Sequence, residues 1–247
     1  MSGTAITNEH FFAVIPAAGK GSRMGTDTGK QFIGLRGIPV LARTLLIFEG
    51  CAHIEGIVVV CGAQDTDKVV QLCTDHKISK ILAVTGGGQT RQASVRNGLE
   101  KLADLLDTET AEASYVLIHD GARPFLSDRA LDDCIASLRS YGPDGSCVCA
   151  VPVKDTVKRR GPDGFVTETV SREELWAVQT PQAFKLTDIL AAHRSAADSG
   201  TEHTDDASVA ESFGIKVRII SGDYTNIKIT TREDLLFGEV ITRNIKP

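Results

Sequence analysis

The chain lacks the features that mark several large classes of protein. Its 247 residues carry a formal net charge of −5, so it has no excess of lysine and arginine to line a nucleic-acid-binding face. No apolar run approaches the roughly 20 residues needed to cross a bilayer. Residues 1–10 have neither the basic nor the apolar region of a secretory signal. We therefore expect a chain that binds neither nucleic acid nor membranes.

The cysteines form no recognisable metal or disulfide framework. The six cysteines include no C-x-x-C pair and no zinc-like spacing. Cys147 and Cys149 are two residues apart in an apolar run, where they would lie on one strand face as buried free thiols. This usage predicts a reduced, cytoplasmic protein. The sequence also lacks a Ser/His/Asp or Cys/His set at a spacing diagnostic of nucleophilic catalysis.

Apolar runs alternate with helical patterns along the chain. The runs cover 11–15, 56–61, 80–84, 115–119, 146–151 and 215–220. Between two of them, residues 127–140 place Leu131, Ile135 and Leu138 on one helical face, with Ser127 as the N-cap. Nearly continuous apolar strands separated by helices predict an α/β fold, Rossmann-like, with a mostly parallel twisted sheet and helices on both faces. We expect one domain over residues 1–247.

Residues 152–176 interrupt this alternation. They alternate polar and apolar residues around Gly161-Pro-Asp-Gly164, which is typical of a β-hairpin. A hairpin that leaves the sheet has no core of its own to pack on. We therefore expect a protruding dimerisation arm that packs on a second subunit of a homodimer.

A glycine-rich loop follows the first apolar run. The segment from Val14 to Gly25 reads Val-Ile-Pro-Ala-Ala-Gly-Lys-Gly-Ser-Arg-Met-Gly. Its glycines allow the backbone N–H groups to approach a ligand closely. The loop also carries cations, which are Lys20, Arg23 and, shortly after it, Lys30. Backbone donors combined with cations predict a polyphosphate site.

Three other interpretations of the loop are less consistent with its spacing. A dinucleotide fingerprint needs Gly-x-Gly-x-x-Gly, but here the third glycine comes one residue late. A P-loop needs Ser or Thr after Gly-Lys, but Gln31 follows Lys30. The remaining alternative is a turn without a ligand, in which Arg23 and Lys30 are solvated loop cations.

The loop and six further blocks carry a family resemblance. The blocks are Gly87–Gly98, Ile118–Phe125, Val151–Lys158, Thr180–Gln182, Thr204–Ser208 and Asn226–Thr231. Together with the loop they resemble the nucleotidyltransferases of the nucleotide-diphospho-sugar transferase superfamily. Within it, the chain is most similar to the 2-C-methyl-D-erythritol 4-phosphate cytidylyltransferases of non-mevalonate isoprenoid biosynthesis.

The resemblance implies an activity and the residues that perform it. A phosphate oxygen of methylerythritol phosphate would attack the α-phosphorus of CTP and release pyrophosphate. Arg23 and Lys30 match residues that stabilise the triphosphate in the transition state, and Arg172 and Lys228 match residues that orient the acceptor. Mg²⁺ is the implied cofactor, held mainly by the triphosphate. Lys228 has a simpler alternative role on the polar face of an edge strand.

The remaining implied site residues fall into two groups. Residues matching the nucleotide-binding positions are Pro16, Ala17, Ala18, Gly19, Gly21, Gly88, Gln89 and Ser94. Residues matching the acceptor-binding positions are Asp120, Arg123, Thr156, Thr180 and Thr204. Asp120 would also be the one protein ligand of the metal, and its simpler alternative role is to cap the turn at Gly121.

Three alternative functions remain open on the residues alone. The first is a ribitol 5-phosphate cytidylyltransferase, although the form Pro16-Ala-Ala-Gly19 favours the methylerythritol enzymes over relatives with Ala-Gly-Gly. The second is another sugar-phosphate nucleotidyltransferase that uses UTP or GTP. The third is a catalytically silent nucleotide-binding protein on the same fold.

Overall fold

A computed structural model describes residues 9–19 and 29–244, apart from the side chains of Lys30 and Pro143. Gly21 and Arg23, which the sequence assigns to the phosphate-binding loop, lie outside the described residues, together with Lys20 and Gly25.

Strands and helices alternate through most of the described chain. The strands are β1 His10–Pro16, β2 Gly34–Leu35, β3 Ile38–Pro39, β4 Ile54–Cys61, β5 Ile81–Gly86, β6 Ser114–Ile118, β7 Cys147–Pro152, β8 Val157–Arg160, β9 Val166–Val170, β10 Trp176–Lys185 and β11 Arg218–Ser221. The helices are α1 Val40–Gly50, α2 Thr66–Asp75, α3 Arg91–Leu105, α4 Thr108–Ala113, α5 Asp128–Tyr141, α6 Leu186–Asp198, α7 Asp206–Ser212 and α8 Arg232–Asn244. The predicted cap of α5 is confirmed, since the Ser127 side chain accepts a hydrogen bond from the Ala130 N–H.

A seven-stranded sheet in the described residues has the order β11-β7-β10-β6-β1-β4-β5. The pairs β1–β4, β1–β6, β4–β5 and β7–β11 are parallel, which confirms the predicted α/β fold. Strand β10 was not predicted, and it pairs antiparallel with both β6 and β7. Its residues include Pro181, which cannot donate a ladder hydrogen bond, and its pairing with β7 shifts register between Val178 and Gln182.

The central strands β1, β4, β6 and β7 bury both of their faces, as their nearly continuous apolar character predicts. Along β1, Phe11, Ala13 and Ile15 pack with helices α1, α2 and α5 on one face. Phe12 and Val14 point to the other face, where they pack with α3, α6 and α7. The carboxyl ends of the parallel strands therefore form one edge between two helical layers, where ligands bind in such sheets.

The predicted hairpin is present as β8 and β9. These strands pair antiparallel, with Val157 opposite Val170, and the chain turns through Gly161–Gly164. Gly164 has a φ of +91°, a conformation that favours glycine. Phe165 is 74% and Val166 61% exposed, so the tip of the hairpin does not bury these two side chains in its own chain.

The predicted thiol state agrees with the structure. Cys147 and Cys149 are both buried in the same core layer, and all six cysteines are free. Among the helices within residues 9–19 and 29–244, none is long and apolar enough to cross a membrane.

Candidate active site

A first cavity of about 450 Å³ opens at the carboxyl ends of β1, β5 and β6. A volume of this size is typical of small-molecule sites. The described residues lining it are Pro16, Ala17, Ala18, Gly19, Gln31, Gly88, Gln89, Thr90, Arg91, Ser94, Asp120, Gly121, Ala122 and Lys228. The cavity thus brings together every described residue that the sequence assigns to the nucleotide, because each follows a strand that ends at this edge.

Backbone hydrogen bonds fix the loops around this cavity. The N–H of Ala17 donates to the carbonyl of Val60 (2.6 Å), and the N–H of Gly87 donates to the carbonyl of Cys61 (2.8 Å). The N–H of Gly121 donates to Pro16 (3.0 Å). The segments that follow β1 and β5 are therefore both held to the end of β4, and the segment that follows β6 is held to the end of β1.

Residues at the start of α3 shape the other wall. Ser94 Oγ accepts from the N–H of Gly88 (3.1 Å) and donates to the carbonyl of Thr90 (2.9 Å). A Cβ on Gly88 would lie 2.5 Å from that of Ala93, so a side chain there would collide with the helix. The close approach leaves a wall of small residues and peptide groups, which is suited to reading the edge of a pyrimidine.

Asp120 lies at the centre of a cluster of charged side chains. Its carboxylate is 2.8 Å from Lys228 Nζ, 3.2 Å from Arg91 Nε and 3.5 Å from Arg123 Nε. Burial alone would raise the pKa of Asp120, but the charges of Arg91 and Lys228 outweigh burial and hold the pKa well below its usual range. Asp120 is therefore a carboxylate at all physiological pH values.

A buried hydrogen-bond network holds the strand end that carries Asp120. Burial lowers the pKa of His119 to about 4, so this imidazole is neutral at pH 7. Its Nε2 lies 3.0 Å from the carbonyl of Arg123, which can only accept, so Nδ1 accepts from the Thr180 hydroxyl (3.0 Å). The same hydroxyl oxygen then accepts from the N–H of Asp120 (3.1 Å). Thr180 thereby fixes the peptide of Asp120.

The segment carrying Lys228 is attached to the same network. Arg123 Nη1 donates to the carbonyl of Asn226 (2.7 Å), and Asn226 Nδ2 donates to the carbonyl of Thr180 (2.9 Å). Ile229 is buried, and its N–H donates to Ala122 (2.8 Å). The edge-strand alternative for Lys228 is wrong, because residues 226–230 form no strand and the ammonium faces Asp120.

A second cavity, of about 580 Å³, adjoins the first. It brings together the predicted acceptor-side residues Arg123, Thr180 and Thr204. Three charged residues line both cavities, and they are Arg91, Asp120 and Lys228. Two ligands could therefore meet across this shared charged boundary.

Some predicted site residues do not reach either cavity within this chain. Thr156 and Arg172 are exposed at the base of the hairpin, and the Arg172 guanidinium donates to the carbonyl of Lys154. Lys30 begins the 3-10 helix Lys30–Phe32, next to Gln31 in the first cavity, but its side chain lies outside the described part of the structure.

The sequence did not assign a role to Arg91, Asp206 or Gln31. Arg91 Nη2 is 2.8 Å from a carboxylate oxygen of Asp206, which is fully buried. Both residues lie in the blocks that carried the resemblance, Gly87–Gly98 and Thr204–Ser208. A charged residue at the start of each helix was the available signal, but spacing alone could not show that the two side chains meet.

The described residues do not provide a preformed metal cage. No cluster of three or more His, Cys, Asp or Glu side chains suited to a metal occurs in residues 9–19 and 29–244. Asp120 is the one carboxylate among the described residues lining the first cavity. Both of its oxygens already face cations, so the described donors fit an ion carried by a triphosphate better than one held by the protein.

Comparisons with known proteins agree with this geometry. A sequence model of the 2-C-methyl-D-erythritol 4-phosphate cytidylyltransferases matches residues 11–244. A protein of that name from Clostridium novyi (strain NT) is 45% identical over 95% of this chain and 97% of the relative. Another, from Geobacillus thermodenitrificans (strain NG80-2), is 46% identical over 94% of this chain and 96% of the relative.

A solved structure shows the same fold. The 4-diphosphocytidyl-2C-methyl-D-erythritol synthase from Anaerococcus prevotii DSM 20548 superposes with a TM-score of 0.80 at 33% identity. The match covers 95% of this chain and 96% of that one. The chain therefore belongs to the 2-C-methyl-D-erythritol 4-phosphate cytidylyltransferase family.

Proposed function

We propose that the chain transfers the cytidylyl group of CTP to 2-C-methyl-D-erythritol 4-phosphate and releases pyrophosphate. A phosphate oxygen of the acceptor forms a bond to the α-phosphorus of CTP, and the bond from that phosphorus to the bridging oxygen of the β-phosphate breaks. The observation that carries this proposal is the pair of adjoining cavities whose shared boundary consists of Arg91, Asp120 and Lys228.

The first cavity is the proposed nucleotide site. Its small residues and peptide groups at Ala17, Gly88 and Ser94 suit a pyrimidine, whereas a purine would need more room. The glycine loop that follows β1 continues from Gly19 toward Arg23 and Lys30. These two cations are the proposed partners of the triphosphate.

The second cavity and its boundary are the proposed acceptor site. Lys228 and Arg123 supply positive charge there, and the hydroxyl of Thr204 lies on the same wall. Thr204 is exposed, so its hydroxyl is available to a polyol ligand.

Catalysis on this proposal needs no general base. A phosphate monoester has a second pKa of about 6, so the attacking oxygen already carries negative charge at pH 7. The chain must bring two anions together and neutralise the charge that builds on the α-phosphate. Arg23 and Lys30 perform this role. Bound Mg²⁺ would supply additional charge neutralisation on the triphosphate, and Asp120 is the one carboxylate among the described residues of the first cavity that could contact it.

A homodimer would complete the acceptor site. The hairpin exposes two apolar side chains, since Phe165 is 74% and Val166 61% accessible, and nothing in its own chain covers them. Arg172 and Thr156 lie at its base, outside both cavities. An arm that packs on a second copy would cover the apolar tip and bring both residues to the partner's acceptor site, through an isologous interface.

The cytoplasm is the proposed location. Cys134 Sγ and Cys149 Sγ lie 3.5 Å apart without a disulfide bond, a state that a reducing compartment preserves.

Pyrophosphate release tests the activity directly. We expect release with CTP and methylerythritol phosphate, and at least about tenfold less with UTP, ATP or GTP, because one mismatched hydrogen-bonding edge is worth at least that factor. Ribitol 5-phosphate is the matched control acceptor, and removal of Mg²⁺ by EDTA tests the metal. Preference for ribitol 5-phosphate would overturn the acceptor assignment, and activity only with another nucleotide would overturn the nucleotide assignment.

A further inference from the structure

Arg91 bridges two buried carboxylates at the boundary of the cavities. Its Nε lies 3.2 Å from Asp120 Oδ1, and its Nη2 lies 2.8 Å from Asp206 Oδ2. Asp206 is fully buried, and its other oxygen lies 3.3 Å from Nε2 of the buried His193. The guanidinium therefore bonds to Asp206 at the start of α7 on one side and to Asp120 after β6 on the other.

This bridge orients the Asp120 carboxylate toward Lys228. Arg91 occupies Oδ1, and the Lys228 ammonium lies 2.8 Å from Oδ2. A guanidinium presents its donors in a rigid plane, so it fixes the orientation of a carboxylate as well as its charge. Asp206, Arg91, Asp120 and Lys228 thus form a chain of alternating charges that begins in the core and ends at the cavities.

Lys228 needs such support more than a residue on a strand or helix would. It lies in residues 226–230, which have no regular secondary structure, and its side chain has four rotatable bonds. Ordering a long side chain on binding lowers affinity, so holding the ammonium in place beforehand raises it. The contact with an oriented Asp120 provides that order.

We propose that Arg91 is a positioning residue for the acceptor: anchored by Asp206, it orients Asp120 and thereby holds Lys228 at the boundary of the two cavities. This inference rests on the proposed role of Lys228 in binding the acceptor phosphate. Arg91 directs its described side-chain hydrogen bonds to the two carboxylates, so its proposed effect on the acceptor passes through Asp120.

Kinetics of Arg91→Gln and Arg91→Lys test the inference. In Arg91→Gln we expect the KM for methylerythritol phosphate to rise about tenfold or more, which is the loss of about one charge-assisted hydrogen bond. Arg91 also lines the first cavity, but its described side-chain hydrogen bonds go to Asp120 and Asp206. The Kd of CTP measured without acceptor should therefore change less than about twofold. Arg91→Lys should recover part of the acceptor KM. Arg96→Gln is a matched control on the same helix, where the arginine pairs with Glu100 at 3.9 Å, and it should change neither constant.

A double-mutant cycle with Lys228→Met shows whether Arg91 acts through that lysine. Arg91→Gln should raise the acceptor KM in the wild-type background and have little further effect once Lys228 is absent. If Arg91→Gln does not fold, the double variant Arg91→Gln/Asp206→Asn removes the buried charges together and replaces it in the cycle.

The outcomes separate this inference from the proposed function. An unchanged acceptor KM in Arg91→Gln, an equal effect in both backgrounds, or a large rise in the Kd of CTP overturns the positioning role. If Lys228→Met itself leaves the acceptor KM unchanged, the assignment of Lys228 under the proposed function fails instead.

Discussion

Mixing two inactive variants tests whether each active site is built from two chains. Arg172 lies at the base of the exposed hairpin and lines neither cavity of its own chain. Lys30 lies next to Gln31, which lines the first cavity. If the arm reaches a second copy, Lys30 and Arg172 of one chain serve different sites of the dimer.

The magnitude follows from the symmetry of the interface. Each single variant should lose about 10²–10³ in turnover, because it removes one charge partner of the transition state or acceptor. After Lys30→Ala and Arg172→Ala chains are dissociated, mixed equally and reassembled, random pairing makes about half of the dimers mixed. A mixed dimer has one site with both substitutions and one intact site. Activity should therefore recover to about a quarter of the wild-type value, well above the background of either variant.

The assay is pyrophosphate release before and after reassembly, with subunit exchange followed independently by labels of two colours. Lys30→Ala mixed with Lys228→Ala is the matched control. Both of those residues are proposed to serve the site of their own chain, so their mixed dimers contain no intact site and should stay inactive. Recovery in the control, or none with Arg172→Ala despite proven exchange, would refute the two-chain site.

Three further outcomes follow from local contacts. Ser94→Ala removes the hydrogen-bond acceptor for the Gly88 N–H. It should weaken CTP binding by up to about tenfold, since a neutral hydrogen bond contributes about 1 kcal/mol. Calorimetry without methylerythritol phosphate measures this affinity, and an unchanged affinity would remove Ser94 from the nucleotide site. Gly98→Ala would place a methyl 2.6 Å from Val14 Cγ1. In urea titration it should lower the free energy of unfolding by about 1–2 kcal/mol, even though alanine favours a helix. A gain in stability would contradict the close packing of α3 on the sheet. Burial raises the pKa of Asp206, but Arg91 and His193 together outweigh burial and lower this pKa. The carboxylate should therefore stabilise the protein above its unfolded pKa of about 4 and lose that contribution as the pH falls further. Asp206→Asn should therefore show a smaller loss of stability between pH 6 and pH 2 than the wild type, and an equal loss would be inconsistent with the ion pair.

The central strands β1, β4, β6 and β7 could be predicted because they are buried on both faces. In β4, Ile57 and Val59 face one helical layer while Val58 and Val60 face the other, so the run is apolar throughout. Strand β10 has a weaker pattern, because Gln179 and Gln182 are buried in it and bond to other polar groups. In the sequence, such polar residues resemble a loop, because the sequence does not show which groups they bond to.

The wall of the first cavity could likewise be predicted from the order of strands and glycines. The residues that hold the charged boundary could not. Asp206 does not come directly after an apolar strand, and 115 residues of sequence separate it from Arg91. The pair forms because α7 packs against α6 and α6 packs against α3, and a single sequence carries no signal for a contact at such a distance.

The charged boundary, together with its neighbours Arg123 and Asp206, also explains how an acidic protein can gather two anions. Arg91, Arg123 and Lys228 together exceed the charge of Asp120 and Asp206 by one, in a chain whose net charge is −5. Three cations alone would repel one another in a partly buried site and would adopt scattered positions. The two carboxylates hold them close together before any substrate arrives, at the cost of some positive potential. Since charges placed in advance need no reorganisation during the reaction, a small but fixed excess of positive charge stabilises a transition state better than a larger mobile one.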